Sequence, residues 1–336
     1  MKHDVFELGC ITLQSGRQMA GARLAYKTYG CLNEKKNNVI VYNTSFAATH
    51  EDAEWLIGIG RALDPNKYFI VVPNMFGNGL SSSPSNTPNA KTNGGFPHIT
   101  IYDNVKQQYR LLRERFGIDA VHLAIGWSLG GAQAFEWASA YPEMVKRLFA
   151  FQSAARTSRH FHVFFDSVRA AIEMDAKFCN GVYSEQPNAG LRVAARIYAA
   201  WGFSPAFFRQ RLDERALGYA SLDDFLVRFW ENWFLKRDAN DILAHLWTGQ
   251  HADISANEKY QFDLDKALGA IKADTIIMPS SSDLYFTVED AAREASQVPN
   301  AEFRILESHW GHVAGEGLND ADTVFIESAI NDLLRR

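Results

Sequence analysis

One serine of this sequence lies two residues away from a glycine on either side. The pentapeptide Gly-Trp-Ser-Leu-Gly at residues 126–130 stands between an apolar run, residues 121–125, and a helical pattern that begins at residue 132. So tight a turn between strand and helix leaves no room for side chains at Gly126 and Gly130, and its strain projects the Ser128 hydroxyl outwards. The pattern therefore predicts a nucleophilic serine rather than a structural turn.

Serine becomes a good nucleophile only beside a general base, and the base needs a carboxylate that fixes its tautomer. Asp283 follows one strand-like run near the C-terminus, and His312 follows the next. Both would lie in loops beyond the carboxyl ends of strands, in the chain order serine, acid, histidine. We predict the triad Ser128, Asp283 and His312. His309 is the alternative base, and Asp290 is a weaker candidate acid because it lies in a helical pattern.

Acyl transfer also needs hydrogen-bond donors for the oxyanion of the tetrahedral intermediate. The backbone N–H of Leu129 would stand at the start of the helix after the serine, where it can donate to an oxyanion. A second donor should come from the polar loop at residues 43–46, and we predict the Ser45 N–H, with Phe46 as the next candidate. The alternative is that this loop only caps a following helix at residues 51–63.

The remaining composition and motifs favour neither a cofactor nor a charged polymer as partner. Gly77-Asn78-Gly79 resembles the start of a dinucleotide fingerprint, but a third glycine at the required spacing and a following helix are missing, so we reject NAD binding. The three cysteines are widely spaced, and the sequence predicts no metal site. A net charge of −5 with scattered basic residues argues against nucleic acid as a partner.

The apolar runs are also too short for a membrane protein. None approaches the roughly 20 residues that span a bilayer, and the first residues lack the pattern of a signal peptide. We therefore expect a cytoplasmic protein without a membrane partner.

Two sequence patterns alternate along the chain, one typical of strands and the other of helices. Strand-like runs lie at residues 39–42, 68–72, 121–125, 275–278 and 302–306, and helical patterns lie at residues 101–116, 133–141 and 322–334. This alternation predicts an α/β protein with a mostly parallel central sheet flanked by helices. Together with the order serine, acid, histidine, it predicts the α/β-hydrolase fold.

A helical segment rich in aromatic residues interrupts this alternation between residues 155 and 265. We predict a core domain of residues 1–154 and 266–336 and an inserted helical cap of residues 155–265. Most of the cap's aromatic residues are expected to form its own core, while some should line the pocket beneath it.

Several segments resemble the homoserine O-acetyltransferase family, from about residue 20 to residue 330. They are FPHITIYD at residues 96–103, Glu136-Trp137-Ala138 followed by Tyr141-Pro142, Ala171-Ile172 with Asp175, and Arg237-Asp238-Ala239-Asn240. The last lies in the cap, where unrelated α/β-hydrolases differ most. The resemblance implies that Ser128 takes an acetyl group from acetyl-CoA and passes it to an alcohol, and that the protein is a homodimer joined through cap helices.

Two positions depart from the pattern of that family. The family's cap carries an arginine followed seven residues later by a tyrosine, and both help to hold the amino-acid substrate; here Arg196 is followed by Phe203. The family also has an aspartate directly after the catalytic histidine, whereas Val313 follows His312. A lost charge partner typically costs a few kcal/mol, so a zwitterionic acceptor would bind poorly. Arg196 could still meet a carboxylate, or extend to the cap surface.

These departures favour the esterase branch of the same family. The predicted substrate contacts are Phe46, Trp127, Arg196, Phe203 and Val313. We predict a carboxylesterase that hydrolyses short-chain, acetate-type esters of small molecules through an acyl-enzyme, with water as the acceptor. One alternative is an acetyl-CoA-dependent O-acetyltransferase for another acceptor, or for homoserine bound differently. The other is a non-catalytic receptor or scaffold.

Overall fold

The strands of this protein form one mixed sheet in the computed structural model, which describes residues 2–87 and 95–336. They are β1 Asp4–Thr12, β2 Gln18–Tyr29, β3 Val39–Asn43, β4 Phe69–Pro73, β5 Leu123–Trp127, β6 Arg147–Phe151, β7 Asp274–Met278 and β8 Ala301–Phe303. Their order in the sheet is β1-β2-β4-β3-β5-β6-β7-β8. The pairs β1/β2 and β2/β4 are antiparallel and the others are parallel, which confirms the predicted mostly parallel sheet.

The helices alternate with these strands and also fill the long connection between β6 and β7. They are α1 Ile101–Arg110, α2 Leu129–Ala140, α3 Arg159–Glu173, α4 Asn188–Gly202, α5 Pro205–Arg209, α6 Leu212–Arg215, α7 Leu222–Phe225, α8 Asn232–Leu235, α9 Ala239–Gln250, α10 Leu264–Gly269, α11 Val288–Ala295 and α12 Asp320–Leu334. Helix α2 packs on β3, β5 and β6, and α12 packs on β6 and β7. Nowhere in residues 2–87 and 95–336 is a helix long and apolar enough to cross a membrane.

The centre of the sheet is buried because its strands are continuous apolar runs. All five residues of β3 and all five of β4 are inaccessible to solvent, as expected for parallel strands covered on both faces. The glycine-rich turn after β5 and the loops after β3, β7 and β8 therefore emerge at one edge, the carboxyl ends of the parallel strands. In open α/β sheets ligands bind at this edge.

The expected helix at residues 51–63 is wrong. A short 3₁₀ helix, His50–Leu56, takes its place, and its N-cap is Thr49, whose hydroxyl accepts from Glu51. The helix ends early because two glycines follow it and Gly60 adopts a φ of 81°, which a helix does not allow. The chain then folds back on itself through a bridge between Ile57 and Leu63.

The helices between β6 and β7 occupy the segment for which a cap is expected. The expected boundary between residues 265 and 266 falls inside α10, and the Tyr260 hydroxyl already contacts the core by donating to the Ser139 carbonyl of α2 at 2.6 Å. We keep the division into core and cap as a proposal.

Candidate active site

Ser128 occupies a strained turn between β5 and α2. Its φ of 56° and ψ of −128° lie in a region that residues with a side chain rarely adopt. A Cβ at Gly126 would collide with the backbone of Gly130, and a Cβ at Gly130 would collide with the Asn43 carbonyl. The sequence folds in this way because both flanking positions lack side chains, and the strain leaves the serine hydroxyl at the edge of the sheet.

Three predicted residues from three different loops form one hydrogen-bonded chain. His312 Nε2 lies 2.8 Å from Ser128 Oγ, and His312 Nδ1 lies 2.8 Å from Asp283 Oδ2. The other oxygen of Asp283 accepts from the backbone N–H of Tyr285 at 2.7 Å, which fixes the carboxylate. With Nδ1–H donating to Asp283, Nε2 is free to accept the serine proton.

The loop that carries His312 is anchored on both sides. Ser282 Oγ donates to the Ser308 carbonyl at 2.6 Å and accepts from the Gly311 N–H at 3.1 Å. The imidazole lies between two aromatic rings, Trp127 at 4.7 Å and Tyr285 at 4.2 Å between ring centroids. Trp127 Nε1 also donates to the His312 carbonyl at 3.2 Å, so that the ring and its backbone are held together.

The alternative base and acid lie elsewhere. His309 is exposed, and its carbonyl accepts from Ser204 Oγ at 2.5 Å. Asp290 is exposed in the first turn of α11, as the helical pattern indicated. Neither side chain is hydrogen-bonded to Ser128 or to His312.

The two predicted oxyanion donors belong to a loop and a helix that are hydrogen-bonded to each other. Gln133 Nε2 of α2 donates to the Thr44 carbonyl at 2.8 Å, which ties the loop after β3 to the helix that begins at Leu129. Among the described residues, no acceptor binds the N–H of Leu129 or of Ser45, so both can donate to a ligand. The alternative role of the loop as a helix cap is wrong, because Thr49 is the cap.

A cavity of about 390 Å³ opens above Ser128 and His312. This volume suits a small ligand. Its lining combines aromatic rings with three carboxyl groups; it includes Tyr42, Ser45, Phe46, Glu51, Asp52, Trp55, Trp127, Tyr198, Phe229, Trp230, Trp233, Tyr285, Val313, Glu316 and Leu318.

The family model of the α/β hydrolase fold matches residues 38–316 of the chain. The chain belongs to the α/β-hydrolase family. An ethyl acetate hydrolase from Pseudomonas veronii is 42% identical to it over 93% of this chain and 90% of the relative. The crystal structure of an acetylester hydrolase from Corynebacterium glutamicum superposes with a TM-score of 0.96 and 35% identity, over 100% of this chain and 96% of the other.

The predicted resemblance to the homoserine O-acetyltransferases is also confirmed. The enzyme of that name from Nostoc punctiforme is 30% identical over 90% of this chain and 88% of the relative. The two ester hydrolases are more similar to this α/β-hydrolase than that transferase is, which agrees with the esterase branch. These relatives identify the protein as a hydrolase.

Three of the predicted substrate contacts of this α/β-hydrolase line the cavity, namely Phe46, Trp127 and Val313. The ring of Phe46 stacks on Tyr198 at 5.5 Å and packs against Phe165 at 5.2 Å. Helices α3 and α4 therefore hold this ring at the cavity.

Arg196 and Phe203 do not line the cavity, so their expected contact with substrate is corrected. Arg196 lies on the surface of α4, where its Nε contacts Glu231 at 2.7 Å and its Nη2 contacts Asp223 at 3.2 Å. Phe203 is wholly buried beneath α5, with its ring 4.0 Å from that of Phe207. The face of α4 that meets the cavity carries Tyr198 instead.

Sequence reasoning missed three polar residues of the cavity. Tyr198 and Tyr285 are buried in the cavity wall, and the ring of Tyr285 lies 4.2 Å from that of His312. Glu316 stands on the same 3₁₀ helix as His312, four residues later. Burial raises the pKa of Glu316 to about 8; Asp52 raises it further, while Arg237 opposes the shift. Proximity in sequence could have suggested Tyr285 and Glu316, because each follows a predicted triad residue by no more than about four positions.

Proposed function

We propose that this protein is a carboxylesterase that hydrolyses short-chain, acetate-type esters through an acyl-enzyme on Ser128. The hydrogen-bonded chain from Ser128 through His312 to Asp283, open to a small aromatic cavity, carries the proposal. The names of two relatives support it, since one is an ethyl acetate hydrolase and the other an acetylester hydrolase.

In the first half of the reaction, Ser128 Oγ attacks the ester carbonyl carbon while His312 Nε2 takes its proton. The oxyanion that forms accepts hydrogen bonds from the N–H groups of Leu129 and Ser45. The C–O bond to the alcohol then breaks, and His312 returns the proton to the departing alkoxide. The Asp283 carboxylate accepts the hydrogen bond from His312 Nδ1–H and stabilises the imidazolium.

In the second half, water attacks the acetyl-enzyme. His312 Nε2 accepts a proton from the water as its oxygen bonds to the acetyl carbon, and the same two N–H groups hold the oxyanion. Collapse of this intermediate breaks the bond to Ser128 Oγ, which regains its proton from His312. Acetate leaves and the resting enzyme is restored.

Charge at the cavity favours this reaction over transfer from acetyl-CoA. Glu51 and Asp52 line the cavity, and their carboxylates would repel the phosphates of CoA. Arg196 points away from the cavity and Val313 replaces the family's aspartate, so a zwitterionic acceptor such as homoserine finds neither of its expected partners. Water is left as the acceptor.

We further propose a cytoplasmic homodimer joined through the cap. Exposed apolar side chains on the cap helices support the dimer, since Val163 of α3 is 61% exposed and Val193 of α4 is 52% exposed. Light scattering on the purified protein tests the dimer: twice the mass of one chain is expected, and the mass of a single chain would contradict it.

Turnover of p-nitrophenyl acetate by matched variants tests the function. His312→Ala should lose several decades of kcat, whereas His309→Ala, a histidine on the same loop with an exposed ring, should stay within about twofold of wild type. Ser128→Ala should be as inactive as His312→Ala. p-Nitrophenol release that does not depend on Ser128 would favour the alternative of a non-catalytic protein. Release that homoserine stimulates, with O-acetylhomoserine formed, would favour the transferase.

A further inference from the structure

The turn that offers Ser45 to the oxyanion is itself under strain. It closes with a hydrogen bond from the Ala48 N–H to the Ser45 carbonyl at 3.3 Å. Ala47 within it has a φ of 50°, a conformation that turns normally reserve for glycine. A strained turn keeps its shape only where its surroundings hold it.

His245 of α9 holds one side of Ala47. The Ala47 N–H donates to His245 Nδ1 at 2.8 Å, and His245 Nε2 donates to the Phe76 carbonyl at 3.0 Å. The ring is wholly buried, and burial lowers the pKa of His245 to about 4. The imidazole is therefore neutral at physiological pH, and its two contacts fix the tautomer with the proton on Nε2.

Arg237, just before α9, holds the other side of the same residue. Its Nε donates to the Ala47 carbonyl at 2.9 Å, and its Nη1 donates to the Trp233 carbonyl at 2.7 Å. The guanidinium also stacks over the Trp233 ring at 3.5 Å, which fixes its direction. Both peptide groups of Ala47 are thus held by side chains from the helical segment, about 190 residues further along the chain.

Two sequence motifs without a role in the chemistry belong to this clamp. The Gly77-Asn78-Gly79 segment lies beneath His245, and a Cβ at Gly77 would lie 2.8 Å from the Cδ2 atom of that ring. Asn78 Nδ2 donates to the Ala48 carbonyl at 3.0 Å. The Arg237-Asp238-Ala239-Asn240 segment supplies the arginine.

We propose that His245 and Arg237 are positioning residues that hold the oxyanion turn, Ser45 to Ala48, in its competent shape. Neither side chain lines the cavity, so both act through Ala47. The proposal rests on the proposed function, because the turn matters only if Ser45 donates to an oxyanion. If these two residues hold the turn, catalysis requires that α9 is packed on the core.

Four variants separate this role from ordinary packing. His245→Leu removes both hydrogen bonds of the ring, His245→Asn keeps an oxygen acceptor near the place of Nδ1, and Arg237→Met removes the donors to Ala47 and Trp233. Thr248→Val is the control: on the same helix it removes another buried hydrogen bond to the core, from Thr248 Oγ1 to the Ile99 carbonyl at 2.7 Å, without contact to the turn.

Two rates are measured for each variant, namely steady-state hydrolysis of p-nitrophenyl acetate and phosphorylation of Ser128 by diethyl p-nitrophenyl phosphate. The second also needs the oxyanion hole but does not depend on which ester or acceptor the enzyme prefers. Both rates should fall about tenfold or more in His245→Leu and Arg237→Met, with KM within about threefold of wild type. His245→Asn should recover most of the loss, and Thr248→Val should stay within about twofold of wild type.

A rescue variant adds a second readout. Ala47→Gly removes the conformational penalty at the positive φ, so adding it to Arg237→Met should restore part of both rates. If His245→Leu does not fold, Arg237→Met with its rescue decides.

Three outcomes have distinct meanings. Folded His245→Leu and Arg237→Met with both rates within about twofold of Thr248→Val would overturn the clamp. A wild-type protein that is phosphorylated on Ser128 but does not hydrolyse esters would overturn the proposed function, while the clamp is still judged by the phosphorylation rates. A wild-type Ser128 that resists phosphorylation overturns both.

Discussion

Among single residues, His312 is the group on which both halves of the proposed reaction depend. Its imidazole is bonded at both nitrogens and lies between the rings of Trp127 and Tyr285. The geometry leaves the ring little freedom to turn away from Ser128. Preorganisation of this kind lowers the reorganisation that the transition state requires.

Trp127 provides a mild test of that preorganisation. Trp127→Phe keeps a ring against His312 but removes the hydrogen bond from Nε1 to the His312 carbonyl. We expect kcat to fall by roughly threefold to tenfold with KM nearly unchanged, because only the alignment of the base is loosened. Steady-state kinetics with p-nitrophenyl acetate measures the split, and an unchanged kcat would show that the bond does not matter.

The pH profile of kcat should differ between the wild type and a variant without the Glu316 carboxyl. Its carboxyl lines the cavity, and burial raises its pKa to about 8, so it is mostly neutral at pH 7 and becomes negative above pH 8. A negative charge there disfavours the oxyanion, so kcat of the wild type should decline above pH 8. Glu316→Gln should match the wild type at pH 7 and lack this decline. An equal decline in both proteins would contradict the role of Glu316.

The buried carboxyl of Glu136 should make the free energy of unfolding depend on pH. It is wholly buried in α2, neither carboxylate oxygen has a partner within the described residues, and burial raises its pKa to about 8. The unfolded chain releases this proton near the usual pKa while the native protein keeps it. Stability should therefore fall as the pH rises from about 4.5 to 8, by about 1 kcal/mol per pH unit for this group alone.

Glu136→Gln isolates that contribution, since it keeps the shape of the side chain and removes its charge. Urea unfolding at several pH values should give a slope between pH 4.5 and 8 that is flatter in the variant by about this amount. Equal slopes in both proteins would mean that the buried carboxyl does not set the trend.

At the scale of elements, the sequence predicts best where local rules decide. The glycines at 126 and 130 specify the turn after β5, and strands β3 and β4 follow from unbroken apolar runs. The positions of Asp283 and His312 follow because loops after successive parallel strands share one edge. The helix predicted at residues 51–63 is wrong, because Gly58 and Gly60 follow the short 3₁₀ helix that ends at Leu56.

Helix α4 shows what sequence alone could not decide. Arg196 and Tyr198 are two residues apart and so lie on different faces of the helix, and only its packing on α3 determines which face meets the cavity. The aromatic content of the cap did not distinguish Phe203, which is packed beneath α5, from the cavity residues Trp230 and Trp233. Such choices depend on tertiary contacts between segments far apart in the chain.

The orientation of α4, with Tyr198 towards the cavity and Arg196 at the surface, can be tested. Arg196→Ala should leave kcat and KM within about twofold of wild type, because its guanidinium only pairs with Glu231 and Asp223 at the surface. Tyr198→Ala, on the cavity side of the same helix, should raise KM by about tenfold through lost contact with Phe46 and substrate. A larger effect of Arg196→Ala than of Tyr198→Ala would reverse the assigned faces.

In the whole molecule, the sheet and the helical segment between β6 and β7 contribute different parts of the candidate site. Loops after β3, β5, β7 and β8 bring together the predicted oxyanion donors and the three hydrogen-bonded residues, while helices between β6 and β7 supply aromatic rings to the cavity. The same helical segment also contacts Ala47 through His245 and Arg237. In our proposals, this segment therefore acts both on substrate choice and on the shape of the oxyanion turn.

In the proposed reaction, Ser128 carries an acetyl group that water removes. Rapid acid quench of the protein with p-nitrophenyl acetate, followed by peptide mass spectrometry, detects this intermediate. We expect one acetyl group on the peptide that contains Ser128, none in Ser128→Ala, and decay of the label to acetate at a rate that homoserine does not change. Acetyl groups on other residues alone, or a label that homoserine removes as O-acetylhomoserine, would contradict it.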